Sequence, residues 1–195
     1  MNKLIKKERK TLETAIKIEV AEEKVTQEAT IQTGIGFFDH MLTLFAFHSQ
    51  LYLSVEADGD LEVDFHHTVE DVGILLGQAI REIYVEKGSY KRYGSMYIPM
   101  DESLARVVLD LSGRPHLNFQ ADFSREKVGE FDTELVLEFF NAVAMNSRMT
   151  LHIDLLKGGN THHEIEAIFK AFGQSLKIAL TATDTGVPSS KGVIE

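Results

Sequence analysis

Two long runs in the chain repeat apolar residues at spacings of three, four and seven, the period of a helix with one buried face. The first is VEDVGILLGQAIREIY from Val69, and the second is IEAIFKAFGQSLKIAL from Ile165. Laid over one another, Val69 falls on Ile165, Val72 on Ile168, Ile80 on Leu176, and Gly77-Gln78 on Gly173-Gln174. Upstream, HMLTLFAFHSQLYLSVE from His40 aligns with EFFNAVAMNSRMTLHID from Glu138, if the first copy has two extra residues before its later helix. Each copy then reads as helix, strand, glycine-containing loop and second helix, and the loop of the first copy carries an extra alternating piece, LEVDF. Self-similarity at this scale is the signature of a tandem duplication.

Elsewhere the period is two. TAIKIEV, VTQEATIQT, SMYIPM, ARVVLDLS and HLNFQADF alternate as strands do, with turns expected at Gly94, at Asp101-Glu102 and at Gly113-Arg114-Pro115. The fold class expected is α+β: a tandem duplication of a sheet-plus-helices half, giving two mostly antiparallel sheets packed with about four helices. Residues 1–92 form the first repeat and 93–195 the second. No Pro-, Gly- or Ser-rich linker separates them, so a single compact unit over 1–195 is expected.

Composition narrows the chemistry. The 195 residues are 44% hydrophobic and 26% charged, enough for one domain with a real core. No stretch approaches the roughly 20 apolar residues that span a bilayer. The basic start MNKLIKKERK runs into TLETAIKIEV rather than an apolar leader, so a cytoplasmic protein without a membrane partner is expected. With no cysteine there is no thiolate nucleophile, disulfide or cysteine-held metal. A net charge of −10 argues against a nucleic-acid partner. An anionic substrate would have to be gathered by a few local cations.

Each long helical run opens with the same polar group: His66-His67-Thr68-Val69-Glu70 and His162-His163-Glu164-Ile165-Glu166. On a helix the first histidine and the glutamate stand at i,i+4 and the second at i,i+3, so each pair can share a face. Neighbouring histidines point about 100° apart, so one helix cannot easily aim both at one ion. Each pair therefore serves two different sites or bridges two subunits. One such segment alone reads as solvated polar residues at a helix start, where acidic groups are favoured anyway. Two copies in register, holding half of the chain's eight histidines, favour metal binding. Imidazole and carboxylate suit Mn, Fe, Zn or Ni, and without thiolate an octahedral N/O site favours a harder ion such as Mn²⁺. His40 and Glu138 occupy matching places in the repeats and are natural further ligands. His48, His116 and His152 lack a ligand-type counterpart and read as structural.

These residues also resemble a known family. GIGFFDHML over residues 34–42, FHHTVEDVG, SGRP with Arg114, GGNTHHEIEAIFKAF and the tail PSSKG from Pro188 are similar to imidazoleglycerol-phosphate dehydratases, from about residue 9 to the end. The resemblance implies a lyase of L-histidine biosynthesis that converts D-erythro-imidazole glycerol phosphate to imidazole acetol phosphate and water, through a metal-bound imidazolate and a diazafulvene. It implies a homo-oligomer of 24 subunits built from trimers, with active sites between chains and two Mn²⁺ ions per site. The family's metal positions fall on His40, His66, His67, Glu70, Glu138, His162, His163 and Glu166. Its substrate contacts fall on Glu13, His40, Arg92, Arg114, Lys170, Ser190 and Lys191, with Glu13 as the catalytic group for the carbon-bound proton. By its sequence context alone, Glu13 reads as a solvated surface residue. Two departures stand out: Glu138 where some members have histidine, and Phe65 where many have aspartate. Two rival readings are a metal-stabilised structural or metal-storage assembly without catalysis, and a dinuclear hydrolase.

Overall fold

The computed structural model describes residues 3–22, 26, 28–184, 186 and 188. The alternation in TAIKIEVA forms strand β2 (Thr14–Ala21), which buries Ile16, Ile18 and Val20 on one face. It pairs with β1 (Ile5–Lys10) and β4 (Tyr52–Gly59), and β4 also pairs with the short β3 (Ile31–Gln32). The second half repeats this pattern with β5 (Tyr93–Met100), β6 (Ser103–Asp110), β7 (His116–Gln120) and β10 (Thr150–Lys157). Strand order is β1-β2-β4-β3 in one sheet and β5-β6-β10-β7 in the other. All neighbours are antiparallel except the final edge pair of each sheet, β3 with β4 and β7 with β10. A small hairpin, β8 (Lys127–Val128) with β9 (Phe131–Asp132), is an addition to the second half.

Four helices lie between the sheets: α1 (Gly36–Ser49), α2 (His66–Lys87), α3 (Leu135–Ser147) and α4 (Thr161–Leu180). α2 packs on the first sheet and α4 on the second, while α2 runs along α3 and α1 along α4. The two most extensive contacts between helices therefore join one half of the sequence to the other, and one apolar core contains residues of both. The paired glycines of the repeat explain how the helices come so close. A Cβ on Gly77 would lie 2.7 Å from the Val143 carbonyl oxygen, and one on Gly173 would lie 3.0 Å from that of Phe45. Each pair runs in one direction: Phe45 stacks on Phe172 at 5.2 Å between ring centroids, and the Tyr84 hydroxyl donates to the Ser147 carbonyl at 2.7 Å.

Four local expectations change. IKKERK, read as a basic terminus, is edge strand β1. Only Ile5 is fully buried, and the charged remainder protects a sheet edge, as in the pair of Lys6 with its cross-strand partner Glu19. In VTQEATIQT, the alternation is of small and polar residues with little apolar area to bury, and among its described residues Ile31–Gln32 alone reaches the ladder. LEVDF closes into a turn, with the Val63 N–H donating to the Asp60 carbonyl at 2.8 Å. Gly94 lies inside β5 instead of at a turn, because the backbone of α4 passes so near that a Cβ would meet the Ser175 carbonyl oxygen at 1.9 Å.

Candidate metal centre

The parallel packing of α1 on α4 sets His40 beside the first turns of α4. His40 Nε2 lies 3.6 Å and His162 Nε2 3.2 Å from the same Glu166 oxygen, Oε2. The ligand atoms of these three residues all fall within 4.8 Å of one another. The other Glu166 oxygen takes the Lys170 ammonium, one turn on, at 2.5 Å. Burial opposes ionisation of Glu166, but the hydrogen bond from Lys170 and the nearby cationic and imidazole groups hold its carboxyl below the ordinary value. The result is two imidazoles and one carboxylate converging from two helices.

The second histidine of each pair faces elsewhere, as the helical geometry requires. His163 Nδ1 lies 3.2 and 3.3 Å from the two oxygens of Glu102, in the turn between β5 and β6, and 3.9 Å from Asp101. Glu102 also accepts the Asn160 N–H at 2.7 Å. Its own backbone N–H, that of Asn160 and the His163 ring together hold its carboxyl at about 2. In the first half, His67 Nδ1 lies 3.0 and 3.2 Å from the oxygens of Asp60, while His67 Nε2 lies 3.8 Å from Glu13 Oε2. The Asp60 hydrogen bond is the largest cause holding the His67 pKa above its ordinary value. Asp101 and Glu102 were expected only to turn the chain, and Asp60 carries no signal beyond an acid near a loop. The one clue was positional: Glu102 sits in the same hairpin turn of the second half that Glu13 occupies in the first.

His66 and Glu70 on α2 and Glu138 on α3 occupy places matching His162, Glu166 and His40, and all three are half-buried. Their ligand atoms do not close as tightly. Among the described residues, the three-residue groups that do are His40, His162 and Glu166, and Asp101, Glu102 and His163. Phe65 stands at the N-cap of α2 and contributes no side-chain cap. The His66 N–H is taken instead by Asp64 at 2.8 Å, just as the His162 N–H is taken by Asn160 at 3.0 Å. A polar group before the histidines is thus present despite Phe65.

Of the candidate phosphate ligands, Lys170 stands in this centre, while Arg92 and Arg114 gather at a different place. Arg92 is almost buried, at 9% exposure, with a left-handed backbone (φ 72°). Its Nε and Nη2 donate to Asp110 at 2.6 and 3.0 Å, and its Nη1 donates to the Pro188 carbonyl at 2.7 Å. Arg114 approaches the same Asp110 at 3.8 Å and keeps most of its side chain in solvent. Two guanidiniums and the chain leading to the tail therefore meet beside the Tyr93–Asp110 end of the β5–β6 hairpin. Ser190 and Lys191 lie outside the described residues. His163, Glu102 and Lys170, which touches Met100 Sδ at 3.6 Å, lie at the opposite Met100–Ser103 end. A strand of eight residues puts those ends about 23 Å apart.

The family model for imidazoleglycerol-phosphate dehydratase matches residues 33–176. The chain belongs to the imidazoleglycerol-phosphate dehydratase family. Imidazoleglycerol-phosphate dehydratases of Staphylococcus aureus strains JH9 and Newman are 60% identical over 193 residues, covering 98% of this chain and all of each relative. A crystal structure of the enzyme from S. aureus subsp. aureus N315 superposes with a TM-score of 0.85 at 56% identity, covering 93% of this chain and 100% of that one. The Pyrococcus furiosus enzyme, in complex with (S)-C348, gives 0.84 at 36% identity over 96% of this chain and 99% of that one.

Imidazoleglycerol-phosphate dehydratases are lyases of histidine biosynthesis, and their two-half α+β architecture is the one found here. The matched span contains both His-His pairs, His40, Glu70, Glu138, Glu166, Arg92, Arg114 and Lys170. Glu13 and the tail fall outside it. No described helix is long and apolar enough to cross a membrane.

Proposed function

We propose that the chain dehydrates D-erythro-imidazole glycerol phosphate to imidazole acetol phosphate, using Mn²⁺ held by its paired motifs at active sites shared between subunits. The donor chemistry fits such an ion. His40, His162 and Glu166 offer two imidazoles and a carboxylate within 4.8 Å, with no thiolate to favour a softer metal. His66, His67, Glu70, Glu138 and His163 complete the proposed set. Held by these residues, Mn²⁺ would supply Lewis acidity and a template for the substrate.

The reaction breaks the bond from the carbon next to the ring to its hydroxyl and removes a proton from the following carbon. The resulting enol tautomerises to the ketone. That second carbon has no carbonyl to acidify it, so a positioned base matters. Glu13 is the group proposed to take the proton. Its carboxylate is 56% exposed and 3.8 Å from His67 Nε2, within reach of a substrate lying against that ring. The turn that carries it is firmly held. The Thr11 hydroxyl accepts the Glu13 N–H at 3.0 Å, and the Thr14 hydroxyl donates to Asp71 at 2.5 Å. Asp71 also takes Arg9 at 2.7 Å, and it stands next to Glu70 on α2. The hairpin and the helix start are thereby tied together.

The observation that carries the shared-site reading is the distance between the two clusters. Arg92 and Arg114 stand about 23 Å along β5 from Glu102 and His163. A small phosphorylated imidazole cannot bridge that span, so the arginines would serve the metal centre of a neighbouring copy. Arg114, with most of its donors free, suits a phosphate held as a handle. A 24-mer of trimers is the proposed form of that assembly.

The test is complementation. Arg114→Ala and His163→Ala chains, each inactive at low substrate, should regain partial turnover when dissociated and reassembled together. Reassembled particles that stay silent, while reassembled unmodified protein recovers, would contradict a shared site. Release of inorganic phosphate in place of the ketone would favour the dinuclear hydrolase instead.

A further inference from the structure

The two halves solve the same problem with different residues. A histidine that binds a metal through one ring nitrogen commonly commits the other to a hydrogen bond, which fixes its tautomer and keeps the ring from flipping. In the second half, Glu102 reaches His163 Nδ1 from the β5–β6 turn. The matching turn in the first half, between β1 and β2, carries Glu13, but Glu13 faces the opposite nitrogen of His67, Nε2. The Nδ1 of His67 is taken by Asp60, directly after β4. The place equivalent to Asp60 in the second half is Gly158, where even a Cβ would lie 2.3 Å from Glu164 Oε1. Gly158 carries no carboxylate, and the hairpin turn supplies one through Glu102.

We infer that Asp60 and Glu102 are positioning residues that commit Nδ1 of His67 and His163 as hydrogen-bond donor and so present Nε2 to the metal. An ionised carboxylate only accepts, so the ring nitrogen facing it carries the proton. The neutral ring then has its free lone pair on Nε2. In the first half, Asp60 also frees the hairpin carboxylate. Because Asp60 orients His67, Glu13 has no orienting duty and can serve the substrate. Its counterpart Glu102 is spent on His163 and on the Asn160 N–H. A tandem duplication thus yields one hairpin acid for chemistry and one for support. The backbone links the first pair closely, since the Asp60 N–H donates to the Glu13 carbonyl at 3.1 Å.

This inference rests on the metal reading above, and the experiment separates the two. Full-length protein is stripped with chelator, and Mn²⁺ is titrated back while the free ion is followed by electron paramagnetic resonance. Asp60→Ala and Glu102→Ala should each weaken one class of Mn²⁺ site by about 10–100-fold, the usual cost of losing such a support. Asp60→Asn and Glu102→Gln, whose amide oxygen can still accept from Nδ1–H, should recover part of that loss. The melting temperature of the metal-free alanine variants should stay near that of the unmodified metal-free protein. If both alanine variants bind Mn²⁺ like the unmodified protein while His163→Ala loses it, the positioning role is wrong and the metal reading stands. If His163→Ala also binds normally, both fail. Weaker binding that tracks a drop in metal-free melting temperature and is not relieved by the amide variants would reduce the acids to structural braces.

Discussion

At Glu166 one carboxylate meets Lys170, His40 and His162 at once, and the order of those contacts governs what the site can hold. Lys170 occupies one oxygen at 2.5 Å, leaving the other turned toward the two imidazoles. A carboxylate partly neutralised in this way remains a ligand without concentrating bare charge in a buried place. Glu13 differs: its carboxylate is exposed and lies 3.8 Å from His67 Nε2, open to a substrate lying against that ring. Glu13→Gln should therefore keep full manganese content and lower kcat by about 10²–10⁴-fold, the range for a lost acid–base group. Metal analysis beside steady-state kinetics checks this, and unchanged kcat would remove Glu13 from the mechanism. Arg114→Ala should raise KM and leave kcat near its original value, because a phosphate handle binds the ground and transition states alike. The paired histidines were legible at this scale because the motif occurs twice in register. Asp60 and Glu102 were not, since an acid in a turn looks solvated until the fold brings a ring nitrogen to it.

Among elements, the four helices were readable because each buries one broad apolar stripe of many residues. The strands were readable in proportion to their burial. TAIKIEV and ARVVLDLS alternate cleanly because each is flanked by strands on both sides. IKKERK hid edge strand β1 behind its lysines, and the alternation of VTQEATIQT promised more strand than the edge could pair. The Gly-Gln pairs at 77–78 and 173–174 match between the repeats and mark where helices from opposite halves touch. Gly77→Ala is the direct test. Alanine would favour the helix by about 1 kcal/mol, but its Cβ would press on Val143 backbone at 2.7 Å and on Asn146 and Ser147 at 2.9 Å. Backbone cannot yield as a flexible side chain can, so the clash should prevail. The variant should be destabilised by about 1–3 kcal/mol, read by denaturant unfolding. A gain in stability would mean that α2 and α3 are less tightly apposed than described.

In the whole molecule, duplication explains both what could be foreseen and what could not. Two halves of like element order were visible in the sequence, but strand order and the pairing of α1 with α4 and α2 with α3 depend on contacts between residues far apart in the chain. No local pattern encodes them. The same packing places imidazoles and carboxylates of both halves at the starts of α2 and α4, and it leaves the arginine cluster at the far end of the second sheet. One chain therefore holds Arg92 and Arg114 about 23 Å along β5 from the Glu102 and His163 end of the same sheet. The most direct test of the account is turnover of imidazole glycerol phosphate by chelator-stripped full-length protein, before and after Mn²⁺ is restored, with the ketone product followed. The account predicts loss of turnover on stripping and its return with Mn²⁺. Full turnover by protein shown to be free of metal, or silence with Mn²⁺ bound and the assembly intact, would contradict it.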